Sequence, residues 1–206
     1  MAKLARPGQL RWAFVSMALL SWPADATNLT FDYANATPGV TVTPFSQTVG
    51  GVTAAFRSDQ DPGGFQVDPS SAATFSGLMI DTNFASATLA TMLEIDFSSP
   101  IEGISLPFLT DGAGPLDLQA FSPVGTPIGS ASVSGTVPPF PAVFPEGVIS
   151  LATGGIGSVV LTDLSDPAFA IGALTVTLPS AVPEPAGLGI FLVGLAALGA
   201  LRRRIG

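Results

Sequence analysis

The chain has 206 residues, a formal net charge of −8, and neither cysteine nor histidine. Their absence removes disulfide staples, the usual zinc ligands and every nucleophile–histidine couple, so only carboxylate chemistry remains for catalysis. Six of the seven basic residues lie near the termini, which leaves Arg57 alone against thirteen acidic residues between positions 27 and 182, a net charge of −12 that repels phosphate backbones and excludes nucleic acid as a partner.

Lys3, Arg6 and Arg11 form a basic start, residues 12–22 are an apolar run of eleven, and Ala24-Asp25-Ala26 supplies an A-x-A site. These features predict a secretory signal peptide over residues 1–26, cleaved after Ala26. The run is too short for a permanent anchor. An exported chain without cysteine must be stabilised by its core, and the 156 residues from 27 to 182 suffice for one domain.

Residues 27–179 carry strand signals throughout. Residues 29–33, 93–97, 116–120 and 174–178 alternate apolar and polar side chains with period two, which predicts half-buried strands. Further strands are expected at 40–45, 52–57, 73–80, 101–109, 128–133, 148–152, 158–163 and 169–171, divided by Gly, Pro, Asp and Ser clusters. Only residues 83–93 compete as a short helix, and Thr88 and Thr91 oppose it. Pro138, Pro139, Pro141 and Pro145 cannot sit in a central strand, so 136–146 is expected to be an exposed loop. Many short strands without crossover helices predict an all-β fold, an antiparallel β-sandwich or jelly roll.

Two acidic groups are candidate sites. Asp59, Asp61 and Asp68 surround a Gly63-Gly64 turn, and carboxylates with accessible backbone carbonyls are the oxygen ligands calcium takes in a flexible loop. The same stretch also fits a polar hairpin turn, since Gly63 offers no side-chain oxygen and Ser70 replaces a closing glutamate. Glu94 and Asp96 alternate with Leu93, Ile95 and Phe97, so their carboxylates share one face of a strand. Glu94-Ile95-Asp96 resembles the first half of the E-I-D-x-E strand motif of β-jelly-roll glycoside hydrolases. Ser98 stands where that motif needs its second acid, and the solvated face of an outer strand explains the pair equally well. Thr41-Val42-Thr43 and Thr175-Val176-Thr177 are threonine pairs of the kind a flat ice-binding face repeats in register, although two pairs are also ordinary strand composition.

After a linker at 180–182, residues 186–201 form a charge-free run of sixteen. As a helix this is about 24 Å long against a hydrocarbon core of about 30 Å, enough to span if its ends stretch. Pro185 suits a first helical turn, Glu184 its positive end, and Arg202, Arg203 and Arg204 its negative end. A terminal basic cluster places the C-terminus in the cytoplasm and everything before Pro183 outside.

In this order, Val182-Pro183-Glu184-Pro185, a glycine-containing apolar helix and Arg202-Arg203-Arg204 resemble the PEP-CTERM sorting signal of Gram-negative bacteria. The resemblance covers the tail, residues 183–206, and implies handling by an exosortase-type enzyme, an inner-membrane intermediate, and a final place at the cell surface or in the extracellular matrix. Carriers of such tails are associated with exopolysaccharide and biofilm. The same tail pattern is also labelled an ice-binding-protein C-terminal domain. Residues 93–106 resemble a strand, turn and strand unit of PEP-CTERM ectodomains, and 157–161 with 169–171 their closing pair; Gly172 and Ala173 replace the Asp-Asn pair found there. The expected function is a non-catalytic exported surface or matrix protein that binds extracellular polysaccharide, without a cofactor unless calcium occupies the Asp59 loop. A carboxylate-dependent carbohydrate-active enzyme is the alternative, and an ice-binding protein the second.

Overall fold

The computed structural model describes residues 26–83, 89–163 and 168–180, all within the unit Asp25–Ser180. Ala24, the expected sorting motif from Val182 to Arg204, the expected 186–201 helix and residues 84–88 of the 83–93 stretch lie outside the described residues.

Eleven strands follow one another: β1 (Asn28–Phe31), β2 (Phe45–Val49), β3 (Val52–Ser58), β4 (Phe65–Pro69), β5 (Leu78–Thr82), β6 (Met92–Thr110), β7 (Pro115–Phe121), β8 (Pro127–Ser134), β9 (Glu146–Asp163), β10 (Phe169–Ile171) and β11 (Leu174–Thr177). No helix occurs among the described residues. Every strand pairing is antiparallel, and the expected all-β class is what the residues adopt.

All eleven strands join one hydrogen-bonded network, in the order β4-β5-β10-β6-β9-β7-β8, with β1-β11 and β2-β3 attached along β6. The network is continuous because β6 and β9 are long enough, 19 and 18 residues, to serve both halves. In β6 the inward positions are Leu93, Ile95 and Phe97, then Ile104, Leu106 and Phe108. The parity of burial changes between them. A strict two-residue period cannot do this, and the register shifts between Asp96 and Gly103 supply the odd residue that re-phases the strand. Here the expected strand, turn and strand is corrected to one strand carrying a bulge. The expected break between 152 and 158 is corrected for the same reason: β9 runs alongside β6 and turns with it at Gly154 and Gly155, both left-handed at φ 63° and 69°.

Two expected strands shrink. In 40–45 only Val42 forms a bridge, to Gln66, before Phe45 opens β2, because Thr41 Oγ1 accepts from Thr37 N to make a turn and Pro44 has no N–H to donate. In 73–80 the strand begins only at Leu78, since Ala73 and Thr74 donate to Glu146 instead of a ladder. Two strands were not expected, β2 and β4. Gln47 points inward in β2 and accepts from Tyr33 N, which breaks the apolar alternation that marks a strand in sequence.

The core gathers residues of both halves into one cluster, dominated by Phe31, Tyr33, Phe56, Phe65 and Phe108. Tyr33 and Phe56 meet edge to face at 5.6 Å, and Phe56 stacks on Phe45 at 4.8 Å. Tyr33 sits at φ 62°, a strained conformation for a residue with a Cβ. It is held there by the Gln47 bond to its N–H and by its own hydroxyl, which donates to Gly172 O at 2.8 Å. With no disulfide available, this aromatic packing carries the stability of the unit.

Candidate functional site

The inward alternation of β7, β9, β6 and β3 has a mirror consequence: their other side chains make one outward face. Cross-strand register places Ser130, Gln119, Val160, Glu94 and Arg57 in one row over five strands. The row on one side holds Phe121, Ser158, Asp96, Ala55 and Ser46, and the row on the other holds Ser132, Asp117, Thr162 and Met92. Directly opposed side chains on such a face are about 5 Å apart, so the polar groups form a lattice of donors and acceptors.

Two hollows indent the face. One, of about 330 Å³, is lined by Asp117, Gln119, Ser130, Ser132 and Thr162. The other, of about 400 Å³, is bounded by Glu94, Asp96, Ser98 and Ser158 and by the β7–β8 turn at Ser122 and Pro123. Gly157 keeps that turn close, because a Cβ there would lie 2.6 Å from Pro123. Arg57, the basic residue of the described chain, approaches Asp96 at 3.8 Å with both side chains substantially exposed. Burial and the Asp96 charge push the Glu94 carboxyl above its ordinary range, against the opposing pull of Arg57.

Glu94 and Asp96 therefore do share a face, as their spacing predicts. They stand two positions apart on one strand, roughly 7 Å along its length, and belong to a sheet surface instead of facing one another across a cleft.

Asp59, Asp61 and Asp68 are not brought together as a metal centre. Asp59 accepts from Thr91 N and Thr91 Oγ1 at 3.0 and 2.6 Å, tying the β3–β4 turn to the start of β6. Asp61 Oδ1 accepts from both Ser58 N and Ser58 Oγ, and Asp68 accepts from Gln66 Nε2. Each carboxylate closes a turn or braces a strand, and no group of three or more such ligands is placed to hold a metal ion among the described residues. These are the hydrogen bonds of a polar turn.

Threonine placement also departs from expectation. Thr43 is buried and bonded to Ser58 Oγ and Phe65 N, so Thr41 and Thr43 do not form an outward pair. Thr175 and Thr177 do face outward, in register with Ser105 and Gly103 of β6 and with Thr30 and Asn28 of β1.

A third concavity was not visible in the sequence. It lies where β5, β10 and the end of β6 meet two loops, and brings together Asp81, Asp111 and Ser71, which are 10 to 40 positions apart. The one available signal was Asp81 itself, a lone acid in a strand whose neighbours Met79, Ile80 and Thr82 are all buried.

No family model matches this sequence, and no curated protein matches it. Among solved structures the chain is similar to the K1 cleaved adhesin domain of Lys-gingipain from Porphyromonas gingivalis, at 8% identity and a TM-score of 0.42, covering 74% of this chain and 99% of that one. The K3 cleaved adhesin domain of the same protein is similar at 12% identity and a TM-score of 0.42, covering 75% and 100%. The C-terminal CBM6 of LamC, a marine laminarinase from Zobellia galactanivorans, is similar at 12% identity and a TM-score of 0.36, covering 73% and 99%.

Proposed function

We propose that the protein is an exported, non-catalytic surface or matrix protein whose acidic β-sandwich binds extracellular polysaccharide, and whose PEP-CTERM tail has it sorted by an exosortase-type enzyme. The observation that carries the glycan reading is the outward face of β8-β7-β9-β6-β3, on which Gln119, Glu94, Asp117, Asp96 and Arg57 stand in register. Carboxylate and amide acceptors at sheet spacing suit sugar hydroxyls, and the guanidinium adds fixed donors. The enzyme alternative is disfavoured by Ser98, which stands where the strand motif of β-jelly-roll glycoside hydrolases needs its second acid.

Affinity electrophoresis of the exported protein through gels containing bacterial polysaccharides tests this reading. Retardation by at least one polysaccharide is expected, reduced by Gln119→Ala and by Glu94→Gln. Hydrolysis of the polysaccharide that Glu94→Gln abolishes would establish the enzyme alternative instead.

A further inference from the structure

The cleft at β5, β10 and the end of β6 measures about 190 Å³, below the roughly 300–1,000 Å³ of sites that enclose drug-sized ligands, and so suits a single ring. Leu109, Phe144 and Phe169 give it apolar walls, while Asp81, Asp111 and Ser71 supply its polar atoms. It contains no counter-ion. Arg57 is the sole basic residue between positions 27 and 182, and it lies on the polar face beside Asp96. A partly buried carboxylate loses hydration that proteins ordinarily replace with a cation. At Asp81 that loss is visible: burial, reinforced by the charge of Asp68 on β4, pushes its carboxyl up to about 6.

The rim is fixed in advance of any ligand. Glu146, buried at the start of β9, accepts from Ala73 N at 2.7 Å, from Thr74 N at 2.8 Å and from Thr74 Oγ1. These bonds fasten the loop that carries Ser71 to the strand that follows Phe144. A bare metal ion would need three or more converging ligands, which the described residues do not provide. A cation with a body broad enough to cover the apolar walls meets both halves of the lining.

We propose that this cleft binds one sugar residue bearing a free amino group, its ammonium on Asp81, its hydroxyls on Asp111 and Ser71, and one ring face against Leu109 and Phe144. Choice of a sugar as the body rests on the glycan reading above; choice of a cation rests on the cleft alone.

The test is calorimetric titration of the full-length protein and of Asp81→Asn with D-glucosamine, D-glucose and N-acetyl-D-glucosamine. Glucosamine binding is expected near neutral pH, at least about tenfold weaker in Asp81→Asn, and weaker at about pH 5, where Asp81 takes up a proton. Asp81→Asn should melt no lower than the parent, which separates a lost contact from a lost fold. Absence of glucosamine binding, equal binding of glucose, or glucosamine binding that Asp81→Asn leaves unchanged would each overturn the proposal. Retardation by polysaccharide through Gln119 in a protein that ignores glucosamine removes the cleft proposal and leaves the glycan reading standing. Glucosamine binding without polysaccharide retardation does the reverse.

Discussion

Glu94 and Asp96 on the open face, and Asp81 and Asp111 in the cleft, are the same chemistry in different surroundings. The first pair has Arg57 beside it and solvent above it; the second has aromatic walls and no basic partner. Glu94 is pushed up by burial and Asp96, and Arg57 pulls back, whereas nothing basic opposes the burial and the Asp68 charge acting on Asp81. The difference teaches that the number of acids in a region says little about what it can bind. What surrounds each carboxylate decides whether it is already satisfied or waiting for a cation.

Removing a wall should break the comparison most severely. Phe169 is fully buried and packs against Phe65 at 5.1 Å, so Phe169→Ala is expected to cost about 3–5 kcal/mol in chemical denaturation and to remove the cleft floor. A loss below 1 kcal/mol would show that the cleft is not continuous with the core.

Releasing the rim comes next. Hydrogen bonds from Thr74 and Ala73 outweigh burial and hold the Glu146 carboxyl below its ordinary range. A group whose folded pKa is depressed contributes stability that is present above its unfolded value, near 4.3, and is lost as pH falls through the folded value. Glu146→Gln should therefore cost about 1–3 kcal/mol at neutral pH and flatten the acid limb of the stability profile. An unchanged acid limb would mean that the loop is held by something other than this carboxylate. Asp81 has the opposite sign, since a raised folded pKa makes its ionised form unfavourable as pH rises through about 6.

The smallest effect belongs to the face. Arg57 and Asp96 are both exposed and 3.8 Å apart, so Arg57→Ala is expected to change stability by less than about 1 kcal/mol. Its informative readout is the Glu94 carboxyl, which should titrate higher still once the opposing cation is gone, measured by side-chain carbonyl NMR. A Glu94 carboxyl unmoved by Arg57→Ala would show that the arginine does not reach the row it shares with Gln119.

The strands most legible in sequence were those whose alternation is uninterrupted, such as Leu116, Leu118 and Ala120 in β7 or Leu174 and Val176 in β11. Those missed were interrupted by a polar residue turned inward, as Gln47 is, or were absorbed into the acidic turn before them, as β4 was. The pairing of Glu94 with Asp96 could be read because neighbours two apart on a strand share a face whatever the fold. Carboxylates beside glycines are equally good ligands and turn-closers, so the bonds from Ser58 to Asp61 and from Thr91 to Asp59 could not be read from the spacing.

By itself the sequence determined the all-β class, the acidity of the region between its two apolar ends, and the exclusion of cysteine and histidine chemistry, since all of these follow from composition and a two-residue period. Tertiary structure alone decided that β6 and β9 run unbroken through their bulges, that the outward rows align over five strands, and that Asp81 and Asp111 line one cleft. Register and long-range contact are set by packing of the whole core, and no local pattern of residues carries that information.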